Sequence, residues 1–273
     1  MPNLYVVATP IGNLEDITQR ALRVLGEVSL IACEDTRHSR RLLTHYGIKT
    51  PTTSYHGNNR TQKIPMILQA LETADVALVS DGGTPVISDP GRELVAAVSA
   101  AGHRVSVLPG PSAVTAALSV SGLGGDRYLF LGFLPPRSGE RQRRLEAARE
   151  EPGSLVMLEA PHRVQATLKD ILKVLGDREI AVCREMTKIY EEVFRGSVSQ
   201  AIAHFAAPLG EFTLVVAGGN PVRPTADAAA TDEVDQLIRA GQSARDAIQT
   251  VAQVSGIPRR ELYRAWLDKQ GTK

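Results

Sequence analysis

The sequence predicts an α/β fold made of two α/β lobes with a cleft between them, followed by a small C-terminal helical extension. Three observations lead there. Short β-branched runs alternate with longer stretches of helical periodicity, the pattern of largely parallel strands joined by helices. That succession occurs twice in segments of comparable length, separated by Gly122-Leu-Gly-Gly125, which offers a hinge. Beyond Val216-Ala-Gly-Gly219 the chain turns Pro/Ala-rich and then helical. The expected boundaries are 1–121 and 122–219 for the lobes, 220–231 for a linker and 232–273 for the extension.

In the first lobe strands are expected at 4–8, 28–33, 76–80 and 105–108, with helices near 18–25, 39–45, 61–73, 92–101 and 112–120. In the second, strands are expected at 128–132, 154–159, 179–184 and 212–217, a further one at 192–196, and helices near 140–150, 161–175 and 197–205. Three helices follow at 232–240, 244–254 and 259–269. Ser243 suits the N-cap of the middle one, with Asp246 at its third position. Helix, short glycine-containing turn, helix is a helix-turn-helix arrangement.

Composition narrows the function. The 273 residues are 43% hydrophobic and 22% charged, enough for two modest cores. A net charge of +1 gives no global polycation, so nucleic-acid contact would need local patches. Cys33 and Cys183 are far apart and each follows an apolar run, which reads as reduced, buried thiols without a metal site. No apolar stretch approaches the roughly 18 residues of a membrane span. The opening Met1-Pro-Asn-Leu-Tyr5 lacks signal-peptide character, so a cytoplasmic protein is expected.

Residues 78–91, Leu-Val-Ser-Asp-Gly-Gly-Thr-Pro-Val-Ile-Ser-Asp-Pro-Gly, say most about function. An apolar strand stops at Ser80-Asp81 and gives way to glycines and prolines before a helix, the place where open α/β sheets bind ligands. Asp81 and Asp89 bring carboxylates able to accept hydrogen bonds from ligand hydroxyl and amine groups. Four more loops follow strand ends: 8–13, 33–41, 108–113 and 158–163. The first lacks the G-x-G-x-x-G of dinucleotide folds. The second starts a helix with two acids, favoured there by the helix dipole, and then Arg37, which is not. In the third, Ser112 suits a helix N-cap beside free amides that can hold a ligand's polar end.

Two regions look suited to phosphate. The loop 134–144 carries Arg137, Arg141, Arg143 and Arg144, and the last helix places Arg260 and Arg264 on one face beside Arg259. Charged helix faces are usually just solvated, so pattern alone leaves both readings of that helix open.

Taken in order, ATPIGNLEDIT, ACEDTRHSRRLL, SDGGTPVISDPG, LPGPSAVTAAL, GFLPPRSGER, LEAPHR, CREMTK and GEFTLVV resemble the ribosomal RNA small subunit methyltransferase I family, with its tetrapyrrole-methylase (class III) fold. The resemblance spans residues 4–219, and the C-terminal helices are similar to that family's extension. It implies S-adenosylmethionine in the interdomain cleft and methylation of a cytidine ribose 2′-oxygen in 16S ribosomal RNA by a homodimer. Carried over by motif, the cofactor-binding residues are Pro10, Ile11, Gly12, Asp81, Gly83, Thr84, Pro85, Ile87, Ser112, Ala113, Leu158 and Thr213. Related tetrapyrrole enzymes have Gly-Asp-Pro where this chain has Gly83-Thr-Pro85, so Asp81 is expected to stand in for the missing acid. Lys188 and Glu159 are the candidate catalytic groups, with Arg37 and Arg184 positioning phosphates. Methylation of a tetrapyrrole carbon, and a non-catalytic RNA-binding assembly factor, are the competing readings.

Overall fold

The computed structural model of the chain describes residues 2–219 and 228–271, and the chain divides into two compact units, 1–219 and 220–273. The first unit opens with β1 (Asn3–Val7), α1 (Gln19–Glu27), β2 (Leu30–Cys33), α2 (Thr36–His45), β3 (Thr52–Ser54), α3 (Arg60–Leu71), β4 (Val76–Val79), α4 (Arg92–Ala100), β5 (Arg104–Leu108) and α5 (Ala113–Ser121). The five strands form a wholly parallel sheet in the order β3-β2-β4-β1-β5. Period-2 alternation sends Ala77 and Val79 of β4 to a core shared with α1 and α2, and Val76 and Leu78 to one shared with α3 and α4. Burial on both faces explains why the inner strands β2 and β4 read as continuous apolar runs. The edge strand β3 escapes sequence reading because Thr52-Thr-Ser54 is short and polar.

The same unit continues with β6 (Tyr128–Phe133), α6 (Ser138–Glu146), β7 (Ser154–Glu159), α7 (Pro161–Leu175), β8 (Glu179–Arg184), β9 (Glu192–Ser197), α8 (Val198–His204) and β10 (Phe212–Val216). Their sheet runs β6-β7-β10-β8-β9, and only β6 and β7 pair in parallel. The expectation of largely parallel pairing therefore fails for the second sheet. Its cause is connectivity: the turn at 185–191 joins β8 to β9 without a crossover helix, so the neighbours run antiparallel. One face of this sheet packs on α6, α7 and α8, and the other, through Val156, Ala181, Cys183 and Val215, on α5. Both cysteines are free and buried, and burial pushes the Cys183 thiol up to about 11, as expected of an inert thiol.

In the second unit α9 (Ala228–Arg239), α10 (Ala244–Ser255) and α11 (Arg259–Gly271) close on a core of Val234, Ala247, Ile248, Val251, Ile257 and Leu262. Residues 228–231, read as linker, belong to α9, in keeping with alanine's helix propensity. The remainder of that linker reading, 220–227, lies outside the described residues. Ser243 caps α10, accepting from the Asp246 amide at 3.2 Å. Gly256, at φ 72°, ends α10 in the left-handed conformation that glycine adopts without cost.

Candidate functional site

Neighbouring strands β1 and β4 send their connections in opposite directions along the first sheet, to β2 and to β5. Such a switch point leaves a crevice at the strands' carboxyl ends. The loops that follow these strands are pinned together: Thr9 and Gly83 exchange backbone hydrogen bonds of 2.9 and 2.8 Å. Gly83 stands at φ 82°, and Val86 and Ser88 also take positive φ, 78° and 66°. A β-branched residue held there costs on the order of 1–3 kcal/mol, and such strain clusters at functional sites. Gly91 makes the loop's exit possible, because a Cβ on it would meet Leu78 and Val86 side-chain carbons at 2.8 Å.

From the second sheet the turn 185–191 reaches the same place. Glu185 and Thr187 have positive φ, 49° and 66°. A Cβ on Gly12 would lie 2.6 Å from Lys188 Cγ and 2.9 Å from the Met186 carbonyl oxygen, so only glycine lets the first-lobe loop touch this turn. Between them lies a cavity of about 750 Å³.

The residues expected to touch the cofactor converge here. Pro10, Ile11, Gly12, Asp81, Gly83, Thr84, Ile87, Ser112, Ala113, Leu158 and Thr213 all line the cavity. Pro85 is buried beneath its loop and is absent from the lining. Ser112 precedes α5 without a side-chain cap bond, contrary to the capping expected of it, which leaves its hydroxyl and the first amides of the helix to other partners. His38, Arg41, Asp89, Phe133 and Glu211 also line the cavity and were not assigned from the sequence. Asp89 lay inside the motif already singled out. His38 and Arg41 are three apart on α2, a spacing that shares one face, whereas Arg37 points elsewhere.

The catalytic candidates divide. Glu159 Oε1 accepts from the Ala160 amide at 2.9 Å and pairs with Arg163 Nε at 3.1 Å, while Oε2 accepts from Thr167 Oγ1 at 2.6 Å. Arg163 in turn donates to the Leu134 carbonyl, so the carboxylate serves as a clasp between the ends of β6 and α7. With its side chain wholly shielded and its oxygens committed, Glu159 is no base for a ligand proton. Lys188 Nζ lies 2.9 Å from Glu185 Oε1 and 3.0 Å from Glu211 Oε2. Burial draws its pKa down, but these two carboxylates outweigh burial and hold it above the usual lysine value. Lys188 is an ammonium, which suits a cationic role there and not that of a base.

The arginines expected to hold RNA are scattered. Arg37 lies against its own helix cap, Nη2 to Asp35 Oδ2 at 3.1 Å, with its side chain 87% exposed. Arg137, Arg143 and Arg144 are exposed, Arg137 3.7 Å from Glu140. Arg184 pairs with Glu192 at 3.0 Å. Arg141 is the clear correction: it is 3% exposed and bound to Asp170, so it cannot reach an external phosphate. Arg260 and Arg264 are exposed on α11.

Charge in the cavity is uneven. Asp81 Oδ1 accepts from the Asp35 amide at 3.1 Å. Burial, with the negative charges of Asp89 and Asp81, pushes Glu34 from 4.5 to about 7, and burial likewise raises Asp89. Among the described residues no group of His, Cys, Asp and Glu could hold a metal ion. A carboxyl whose folded pKa exceeds its unfolded one binds protons in the folded state, so stability falls as pH rises from about 4.5 through about 7. Glu34→Gln is therefore expected to raise the melting temperature above pH 7 and leave it unchanged below pH 4.5; equal effects at both ends would refute this coupling.

Comparison with known proteins gives one consistent answer. Residues 3–202 match the family model for Tetrapyrrole (Corrin/Porphyrin) Methylases. A Synechocystis protein named Ribosomal RNA small subunit methyltransferase I is 45% identical over 271 residues, 97% of each chain. A Thermotoga maritima protein of the same name is 50% identical over 221 residues, 80% of this chain and 99% of its own. Among solved structures, uroporphyrin-III C-methyl transferase from Thermus thermophilus, complexed with S-adenosylhomocysteine, superposes with a TM-score of 0.57 at 20% identity, covering 82% of this chain and 99% of that one.

Proposed function

Since the chain belongs to the tetrapyrrole methylase family and to the ribosomal RNA small subunit methyltransferase I family, we propose that it methylates the ribose 2′-oxygen of a cytidine in 16S ribosomal RNA, with S-adenosylmethionine as donor. The single observation that carries the reading is the cavity at the switch point, which pairs carboxylates with apolar walls. Its volume suits a nucleoside cofactor. Asp81 and Asp89 offer acceptors for ribose hydroxyls and an ammonium, and favour a positive sulfonium. Ile11, Leu158 and Phe212 offer a surface for a purine, and the free amides opening α5 suit a carboxylate. The residues present fit the group.

S-adenosylmethionine supplies an electrophilic methyl on a sulfonium, so the protein's task is chiefly alignment. The pinned loops at Thr9 and Gly83 hold one wall fixed, and the strained turn at Thr187 presents Lys188 from the other. The Lys188 ammonium steadies negative charge on the acceptor oxygen while its proton passes to solvent water. Glu159 holds the frame. The tetrapyrrole-carbon reading draws support from the broad family match and from fold likeness, whereas relatives of 45% and 50% identity carry the RNA name.

The test is transfer from tritiated S-adenosylmethionine to small ribosomal subunits, with the product read as alkali-resistant 2′-O-methylcytidine. Lys188→Ala is expected to lower kcat on the order of a hundredfold or more, with cofactor affinity retained. Glu159→Gln is expected to lower the melting temperature and leave the pH profile of transfer unmoved. Undiminished transfer by Lys188→Ala would remove that residue from the mechanism, and transfer only to a tetrapyrrole acceptor would overturn the proposal.

A further inference from the structure

The helical unit has a cavity of its own, about 540 Å³, lined by Arg245 and Ile248 of α10 and by Arg259, Arg260 and Tyr263 of α11. All three arginines are exposed, and their side chains make no hydrogen bond or ion pair among the described residues. Three of the unit's acids are engaged elsewhere. Asp235 accepts from Trp266 at 2.8 Å and from Lys269 at 2.7 Å, Asp232 from Lys269 at 2.6 Å, and Asp246 from Ser243 at 2.7 Å. No acid among the described residues lines the cavity.

The placement is unfavourable for folding. Arg245 sits in the first turn of α10, and Arg259 and Arg260 in the first turn of α11, where the helix dipole is positive and cations are disfavoured. Two helix beginnings and three guanidinium groups, set against the acids Asp246 and Glu261 in the same turns, leave net positive charge around one hollow, and an anion relieves it. The hollow is larger than a phosphate needs. Its floor is Ile248, 1% exposed, and its wall is Tyr263, 49% exposed, an apolar base and a half-bare ring that suit a planar group.

We propose that this cavity is a docking site for a single-stranded RNA segment, in which Arg245, Arg259 and Arg260 hold the phosphodiester backbone and Tyr263 stacks on one base. The inference rests on the RNA reading of the active site and deepens it by naming where a second stretch of substrate is held. Arg264, expected from its spacing to act with Arg260, is not part of the lining, whereas Arg245 and Tyr263 are.

The test uses the full-length chain and a fluorescently labelled single-stranded oligoribonucleotide of small-subunit sequence, with anisotropy titrations over a salt series. Substituting Arg245, Arg259 and Arg260 together by alanine is expected to weaken binding and flatten the salt dependence by roughly 0.7 for each phosphate no longer neutralised. Tyr263→Ala is expected to weaken binding on the order of tenfold with the salt slope kept, and Tyr263→Phe to retain affinity, as stacking requires. Unchanged binding by the triple variant, or a Tyr263→Phe as weak as Tyr263→Ala, would overturn the proposal, as would duplex DNA binding as tightly with the same losses. Methyl transfer by the wild-type chain separates the two claims. Transfer to small subunits with unaltered variant binding sinks the cavity alone, while absence of transfer sinks the function.

Discussion

Asp170→Ala is expected to destabilise the chain by about 3–5 kcal/mol in urea unfolding, the usual cost of leaving a buried charge unpartnered. Arg141 Nη2 lies 2.5 Å and Nε 2.7 Å from Asp170 Oδ2, and Nη1 donates to the Pro135 and Pro136 carbonyls at 3.3 and 3.1 Å. Asp170 also accepts from Ser138 at 3.0 Å and Gln142 at 2.7 Å. Burial pushes the Asp170 carboxyl up, but hydrogen bonds from Gln142, Arg141 and Ser138 outweigh burial and hold it below the usual range. Its contribution is thus present above the unfolded value of 3.8 and lost as pH falls further. Replacing both partners, Arg141→Met with Asp170→Leu, is expected to be nearly neutral, because the pair's own desolvation cost disappears with it. An Asp170→Ala protein as stable as wild type would mean that Arg141 is not captive.

The largest effect on cofactor affinity is expected at Asp81. Asp81→Ala removes a carboxylate from the cavity and should raise the Kd for S-adenosylmethionine on the order of ten- to a hundredfold, as for loss of a charge-assisted hydrogen bond. A second signature follows from its neighbours. The charge of Asp81 is one reason for the raised pKa of Glu34, so its removal should bring Glu34 back toward its ordinary value. In the wild type, the positive cofactor should bind more tightly above pH 7 than below, and this dependence should shrink in Asp81→Ala. S-adenosylhomocysteine, which lacks the sulfonium charge, should show less of it. Calorimetry at two pH values reads both effects, and an unaltered Kd would place Asp81 outside the cofactor's contacts.

Particular elements show how far local pattern carries. The strands Ser154–Glu159 and Glu179–Arg184 and the helix Pro161–Leu175 lie where periodicity puts them to the residue. Each has its apolar face written into its own segment and is bounded by turn residues. Strand β3 has neither length nor apolar character and exists because β2 offers it an edge. The loops around Gly12, Gly83 and Ser112 were recognisable as ligand loops because tight backbone demands those residue types. Their meeting in one cavity was not, since 100 residues separate the first from the last.

By itself the sequence determined the alternation of strands and helices, the loops that line the cavity and the helical extension, because each is written in spacing over a few residues, and its motifs carried the resemblance to the family. Tertiary structure alone decided the antiparallel second sheet, which depends on what connects β8 to β9. It also decided the fate of single charges. Arg141 and Arg143 stand two apart in one basic run, yet one is buried against Asp170 and the other is open to solvent. Glu159 became a clasp through Arg163 and Thr167, and Lys188 an ammonium through partners as far as 23 residues away. A charge's role depends on burial and on what lies within a few ångströms, and neither quantity is local in the chain.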